Sequence, residues 1–155
     1  MKIRLVALGQ RMPAWIAAGV DDYARRLPRE FALQIVELKP EPRDRGRTTA
    51  QTLAAEARRI AESTKGCHVV ALDQRGEGWS TARFAEHLRE WHDRGIEVAF
   101  VIGSADGLAE SVKRNANVIM SLSTLTLPHG LSRVLLCEQI YRAVSLLMGH
   151  PYHRE

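Results

Sequence analysis

Two glycines after a strongly apolar segment are candidates for ligand binding. Gly103 and Gly107 occur in the run Ile102-Gly103-Ser104-Ala105-Asp106-Gly107, which precedes a predicted helix. Glycines at such a point allow main-chain amides and carbonyls to approach a flat ligand closely. Two glycines are also typical of an ordinary turn between a strand and a helix, and geometry alone favours that simpler interpretation.

A second candidate segment combines apolar side chains with hydroxyls. Its leucines and main-chain groups could line a pocket for an adenine ring. The alternative is a buried connection marked by Pro128 and Gly130, because proline and glycine commonly occur in loops. The segment consists of Leu122, Ser123, Thr124, Leu125, Thr126, Leu127, Pro128 and His129.

Both segments follow strands of a predicted strand–helix alternation. Short apolar runs predict five strands, and apolar residues at helical spacing predict a helix after each of them. This pattern predicts an α/β fold with a parallel sheet flanked by helices, in which ligands bind beyond the carboxyl ends of the strands. The predicted strands are 3–8, 31–38, 69–72, 96–102 and 118–122. The predicted helices are 13–26, 49–63, 80–95, 108–115 and 131–148, with a turn at 73–78 and a loop at 126–130.

Composition indicates one ordinary globular domain, residues 1–155. Of the 155 residues, 45% are hydrophobic and 26% are charged, which is close to the average for such domains. The longest apolar runs are far shorter than the roughly 20 residues that span a bilayer, and the start does not resemble a signal peptide. We therefore expect a cytoplasmic protein with no membrane segment. Cys67 and Cys137 lack CxxC spacing and are expected to be small buried apolar residues.

Several common enzyme motifs are missing. The first predicted strand is followed by Gly9-Gln10-Arg11-Met12, which is neither a GxGxxG fingerprint nor a P-loop. This argues against a Rossmann dehydrogenase, a P-loop NTPase and the common Rossmann-type methyltransferase. The sequence also lacks a GxSxG elbow and an HExxH motif, and its six histidines show no spacing typical of metal ligands.

The net charge of +4 is compatible with a polyanionic partner but does not require one. Basic residues cluster in two loops and at the end of the chain, which suggests a surface that faces RNA. Solvated loops on a soluble protein explain the clusters equally well. The clusters are Arg25, Arg26 and Arg29; then Lys39, Arg43, Arg45 and Arg47, diluted by Glu41 and Asp44; and finally His150, His153 and Arg154.

Several segments together resemble one family over essentially the whole chain. They are Met12-Pro13-x-Trp15, Leu72-Asp73, 102–107, 122–129, the run Glu138-Gln139-Ile140-Tyr141-Arg142-Ala143, and the tail 150–155. The sequence resembles the RlmH type of SPOUT methyltransferase, which methylates N3 of a pseudouridine in large-subunit (23S) ribosomal RNA. The tail and Thr126-Leu127-Pro128-His129 are the most discriminating parts. One departure is Ser104, where the family usually has a second glycine; we expect the serine to be harmless.

The resemblance implies an α/β fold with a C-terminal trefoil knot, the SPOUT α/β-knot. It also implies that S-adenosyl-L-methionine binds at Leu72, Gly103, Leu122, Ser123, Thr124, Leu125, Thr126 and Leu127. Family members are homodimers with active sites built from both subunits. The helix 131–148 would be the dimer element, with Leu135, Val144, Leu147 and Met148 as apolar contacts. Plain core packing of that helix is the alternative.

Methyl transfer to N3 of a pseudouridine requires positioning and removal of the N3 proton. The family resemblance implies the catalytic candidates His129, Glu138, Arg142, Tyr152, His153 and Arg154. Arg142 and Arg154 would hold phosphate or uracil oxygens, and His129, His153 or Glu138 would accept the proton; the sequence does not choose among these three. Glu138 and Arg142 are four residues apart, so an ordinary helical ion pair is the simpler interpretation.

From its length, we expect the chain to be nearly all cofactor-binding domain, with no appended RNA-binding module. We therefore expect it to recognise the large ribosomal subunit or the whole ribosome rather than a short RNA. Three other interpretations stay open at the level of the sequence. They are a non-catalytic RNA-binding or ribosome-assembly protein, a flavodoxin-like nucleotide-binding protein, and a SPOUT enzyme with another target, such as transfer RNA.

Overall fold

A computed structural model describes residues 1–44 and 46–154. Its centre is a five-stranded sheet in the order β2-β1-β4-β3-β5, with every neighbouring pair parallel. The central strand β4 is buried along its whole length, as expected for a sheet covered on both faces. The strands are β1 (Lys2–Leu8), β2 (Ala32–Leu38), β3 (His68–Gly78), β4 (Val98–Ile102) and β5 (Val118–Ser121).

Helices cover both faces of the sheet, which confirms the α/β fold class. Helices α1, α3 and α5 pack over one face, and α2 and α4 pack over the other. Two short 3-10 helices, Arg29–Phe31 and Pro151–His153, lie before β2 and at the end of the chain. The α-helices are α1 (Ala14–Arg26), α2 (Thr49–Ser63), α3 (Thr81–Asp93), α4 (Glu110–Asn115) and α5 (His129–Leu147).

Helix boundaries follow the capping chemistry of the sequence. The hydroxyl of Ser80 accepts a hydrogen bond from the amide of Arg83 and caps α3, as predicted. Thr48 and Gln51 form a reciprocal capping box at the start of α2. None of the helices in residues 1–44 and 46–154 is long and apolar enough to cross a membrane.

Strand β3 extends beyond the predicted boundary. The run 73–78 is polar and glycine-rich and was predicted as a turn, but it continues the strand. Its pairing with β5 resumes after a register shift, with Glu77 opposite Met120 and Gly78 opposite Ser121. The turn prediction was wrong because contact with a strand some 40 positions later in the chain, and not local preference, sets this conformation.

Helix α5 begins earlier than predicted. Residues 129 and 130 were assigned to a loop, but α5 starts at His129, with Pro128 as the N-cap. The amide of Ser132 donates to the carbonyl of Pro128 over 3.0 Å. Proline suits this position because its fixed φ precedes a helix without strain. His129 is therefore held in the first turn of a long helix.

Candidate functional site

A cavity of about 690 Å³ lies at the carboxyl edge of β3, β4 and β5. This is the edge where ligands bind in parallel α/β folds. Three chain segments line it, at 72–75, at 102–108 and at 121–129 except Thr124, together with Lys113 of α4 and Ser132 of α5. The two segments singled out in the sequence thus face one cavity.

Most of the predicted cofactor-binding residues line this cavity. They are Leu72, Gly103, Leu122, Ser123, Leu125, Thr126 and Leu127. Thr124 is exposed and lies outside the cavity lining as the described residues form it. The side chain of Leu125 is also conspicuous, because 73% of the residue is exposed beside the cavity.

The turn at 103–107 is closed by main-chain geometry. The amide of Gly107 donates to the carbonyl of Ser104 over 2.9 Å, and Gly107 has a φ of +80°. A Cβ on Gly103 would lie 2.5 Å from the carbonyl oxygen of Gly107. Gly103 is therefore required by the turn itself. Within residues 1–44 and 46–154, Arg11 is the only non-glycine residue with positive φ, so Ser104 introduces no backbone strain.

Hydroxyls organise the loop after β5. The hydroxyl of Ser121 donates to the carbonyl of Ser123, and the hydroxyl of Ser123 accepts from the amide of Leu125. Thr126 donates from Oγ1 to Oε1 of Gln74 over 3.2 Å. This last bond ties the loop to the part of β3 that lines the cavity.

His129 lines the cavity and contacts a buried cation. Arg133 donates from Nε to His129 Nε2 over 3.0 Å. Burial lowers the pKa of His129 below its ordinary value of 6.5, and the charge of Arg133 lowers it further. The imidazole is therefore neutral near pH 7, with its Nε2 lone pair engaged by Arg133.

Arg133 was not singled out in the sequence analysis. Its side chain is 3% exposed. It donates to the carboxylate of Glu37 over 2.7 Å and to the carbonyl of Gly9 over 2.8 Å. A buried charge needs such partners. Its spacing of four residues from His129, on the face of a helix that is otherwise apolar, was the available signal.

A second pair of charged residues stands in the cavity wall. Lys113 Nζ lies 3.6 Å from a carboxylate oxygen of Asp73 and 2.7 Å from one of Glu110. The bond to Glu110 is the main cause of a raised pKa at Lys113. The cavity thus offers charges of both signs. Neither Asp73 nor Lys113 was predicted as a binding residue from the sequence.

Glu138, Arg142 and Tyr152 form a separate cluster. Arg142 donates from Nε to Glu138 Oε1 over 2.7 Å, so the helical ion pair is present. The hydroxyl of Tyr152 lies 3.3 Å from the same oxygen and 3.4 Å from the hydroxyl of Tyr23. Burial raises the pKa of Tyr152 well above its usual value. The cluster joins three of the six catalytic candidates.

The described residues of the tail, 150–154, do not line the cavity of their own chain. Residues 151–153 form a 3-10 helix packed on α5, and the guanidinium of Arg142 lies 5.0 Å from the ring centre of Tyr152. Nδ1 of His153 is buried and has no hydrogen-bond partner within the described residues. All six predicted catalytic residues lie in the described part of the chain, and only His129 among them lines the cavity. Glu155 lies outside the described residues.

Acidic neighbours partly neutralise the basic clusters. Arg25 and Arg26 form helical ion pairs with Asp21 and Asp22. In the loop after β2, Arg43 pairs with Glu56 and Asp106, and Arg47 pairs with Glu41. The structure therefore favours the simpler interpretation of these two clusters. Arg45 lies outside the described residues.

The residues predicted as dimer contacts differ in exposure. Val144 is 1% exposed and belongs to the core beneath α5, so it is not available to a second copy. Met148 is 57% exposed, and its neighbour Leu146 is 37% exposed. Leu135 and Leu147 are partly buried. Cys137 is fully buried, as predicted, and Cys67 is partly buried.

The chain is similar to known proteins over nearly its whole length. The family model described as "Predicted SPOUT methyltransferase" matches residues 1–153. Proteins named "Ribosomal RNA large subunit methyltransferase H" from Burkholderia mallei SAVP1 and Burkholderia pseudomallei K96243 are each 51% identical over 155 residues, covering 99% of both chains.

Solved structures share the fold at low sequence identity. A structure titled "probable methylase family protein" from Haemophilus influenzae Rd KW20 is 14% identical, with a TM-score of 0.62 over 99% of this chain and 70% of that one. A "Probable Methyltransferase" from Bordetella pertussis Tohama I is 16% identical, with a TM-score of 0.58 over 92% and 95%. These likenesses support the same architecture.

Proposed function

We infer that this chain, which belongs to the SPOUT methyltransferase family, transfers a methyl group from S-adenosyl-L-methionine to large-subunit ribosomal RNA. The observation that carries the proposal is the cavity at the carboxyl edge of β3, β4 and β5. Family membership implies the C-terminal trefoil knot in addition to the parallel α/β sheet. We treat residues 1–155 as one methyltransferase domain.

The cavity fits the chemistry of the cofactor. Its volume of about 690 Å³ lies within the range of small-molecule sites. Leu122, Leu125 and Leu127 supply apolar surface for an adenine ring, and the turn at 103–107 supplies main-chain groups. Asp73 and Lys113 supply charges of the kind that pair with an ammonium and a carboxylate. When bound, S-adenosylmethionine supplies a methyl group on an electrophilic sulfonium centre.

The proposed target atom is N3 of a pseudouridine. That nitrogen carries a weakly acidic proton. The protein must therefore remove this proton or stabilise the negative charge that develops on the base as the proton leaves. Tyr152 can stack on an extruded base, and the guanidinium groups of Arg142 and Arg154 can bind phosphate or uracil oxygens. These residues are proposed from their chemistry and their position near the end of α5.

Among the three candidates for the proton acceptor, His129 is the least suited. Its Nε2 already accepts a hydrogen bond from Arg133, and a second cation beside Arg133 would be unfavourable. We therefore assign His129 to cofactor binding and keep Glu138 and His153 as proton acceptors.

A homodimer would bring the separated groups together. Within one chain, Glu138, Arg142, Tyr152 and His153 lie outside the cavity lining, whereas methyl transfer requires substrate and cofactor in contact. A second copy placed against the exposed end of α5 could present this cluster to the cavity of the first. Leu146 and Met148 provide exposed apolar surface there.

The ribosome is the proposed setting for this reaction. Four basic residues of the clusters on α1 and the loop after β2, Arg25, Arg26, Arg43 and Arg47, are paired with acidic residues, which reduces the free charge available for binding naked RNA. Recognition of assembled ribosomal surface compensates for that deficit. Such a protein would act in the cytoplasm.

Calorimetric titration with S-adenosylmethionine tests the cofactor site. Leu125→Glu adds a charge to an exposed position of the cavity wall, and Ala54→Glu adds the same charge on the exposed side of α2 as a matched control. We expect the wild type and the Ala54 variant to bind equally and the Leu125 variant to bind at least about tenfold more weakly. Equal binding by all three proteins would place the cofactor elsewhere.

A further inference from the structure

The guanidinium group of Arg43 donates hydrogen bonds to four different residues. It lies in the loop between β2 and α2. Nε donates to Asp106 Oδ2 over 3.0 Å, and one terminal nitrogen lies 2.9 Å from the same oxygen. The same terminal nitrogen donates to Ser104 Oγ over 2.8 Å. The other donates to Glu56 Oε1 over 2.8 Å and to the carbonyl of Glu41 over 2.6 Å.

Glu56 is the buried partner of both Arg43 and Ser104. The residue is 2% exposed on α2, and its Oε1 accepts from Arg43 and, over 3.2 Å, from the hydroxyl of Ser104. Its Oε2 is buried with no hydrogen-bond partner within the described residues. A buried carboxylate is costly unless a cation and hydrogen bonds compensate it. Arg43 is therefore held between a buried charge and the turn at 103–107.

Two of the residues that Arg43 contacts belong to the cavity wall. Ser104 and Asp106 line the cavity, whereas Arg43, Glu41 and Glu56 lie outside its lining in the described chain. Arg43 thus has no place against a bound ligand. Arg43 therefore affects the cavity through Ser104 and Asp106, the two wall residues that it contacts.

We propose that Arg43, through Ser104 and Asp106, positions the cavity-wall turn and thereby sets the affinity for S-adenosylmethionine. Arg43 is a positioning residue, and Ser104 supplies one of its attachment points. The inference rests on the proposed function, because it takes S-adenosylmethionine to be the ligand of this cavity. Lysine cannot replace the arginine, since a single ammonium cannot span Glu56, Ser104 and Asp106 at once.

The test compares Arg43→Lys with Arg47→Gln. Lysine keeps a positive charge beside buried Glu56, so this variant is expected to fold where Arg43→Gln could fail. Arg47 lies in the same loop but pairs with Glu41, away from the cavity, and serves as the control. Hydrogen exchange of residues 103–108 is measured on the cofactor-free proteins, followed by calorimetric titration with S-adenosylmethionine and methyl-transfer kinetics.

For Arg43→Lys we expect faster exchange at 103–108 and about tenfold weaker binding of S-adenosylmethionine. The KM for the cofactor should rise by a similar factor, while kcat at saturation falls less than about twofold. Arg47→Gln should match the wild type in all three measurements.

Three results would overturn the inference. Wild-type affinity in Arg43→Lys would refute it while leaving the proposed function intact. Weaker binding without faster exchange at 103–108 would refute the route through the turn. A wild-type protein that does not bind S-adenosylmethionine would refute the proposed function, and the inference with it.

Discussion

Arg133 donates a hydrogen bond from Nε to Nε2 of His129, and the two nitrogen atoms are 3.0 Å apart. A guanidinium group cannot accept a hydrogen bond, so Nε2 must present its lone pair. The neutral imidazole therefore carries its proton on Nδ1. The contacts of Arg133 with Glu37 and the Gly9 carbonyl hold the guanidinium that determines which atom of a cavity residue is protonated.

Nitrogen-15 NMR spectra of the imidazoles test this relationship. We predict the Nδ1–H tautomer for His129 and a pKa below 6.5, because burial and the charge of Arg133 both disfavour the imidazolium. An Nε2–H tautomer, or titration of His129 at or above 6.5, would show that Arg133 does not control the ring.

The stability of the folded protein should depend on pH through two histidines. Burial lowers the pKa values of both His68 and His129 from 6.5. Below that pH the unfolded chain binds more protons than the folded one, so the free energy of unfolding falls as the pH decreases. This contribution is fully present above pH 6.5.

Urea denaturation between pH 8 and pH 5 measures the effect. We expect a nearly constant midpoint from pH 8 to 7 and a progressive fall below 6.5. The fall should be smaller in His68→Gln, which leaves only His129 of the pair. A midpoint that rises on acidification would contradict the direction of both pKa shifts.

Gly76 marks a close approach between β3 and β5. A Cβ at this position would lie 2.6 Å from the carbonyl carbon of Met120, whereas a Cβ at Gly78 would meet no atom within 4 Å. Neither glycine has a positive φ within the described residues. The two positions of one strand therefore differ in available space and not in backbone conformation.

Alanine substitutions at these glycines form a matched pair. We predict that Gly76→Ala lowers the free energy of unfolding by about 2–3 kcal/mol, as overpacking does. Gly78→Ala should change it by less than about 0.5 kcal/mol. Equal effects in denaturant titrations would mean that the 73–78 segment does not run against Met120 as described.

Local patterns in the sequence predicted most of the fold. Short apolar runs predicted the five strands, and apolar residues at helical spacing predicted the five helices, because burial of each element requires apolar residues at these positions. The exception was 73–78, whose polar and glycine-rich composition is typical of a turn. Its strand conformation depends on contact with Met120, which no local pattern encodes.

The candidate site was predictable where it depends on segments next to strand ends. Gly103 and the loop after β5 were identified in this way. Arg133 was not predicted because its partners Glu37 and Gly9 are 96 and 124 residues away in the sequence. The contacts of Arg43 with Glu56 and Ser104 join positions 13 and 61 residues apart, and only the folded chain brings these side chains together.

The most direct test of the central claim is methyl transfer to ribosomes. Purified protein and S-adenosylmethionine labelled in the methyl group are incubated with ribosomes that lack the modification and, separately, with a short RNA hairpin. We predict that label enters large-subunit RNA of the ribosomes as N3-methylpseudouridine, that the hairpin stays nearly unlabelled, and that Leu125→Glu abolishes most of the signal. Ribosomes left unlabelled by a protein that binds the cofactor would contradict the proposed function.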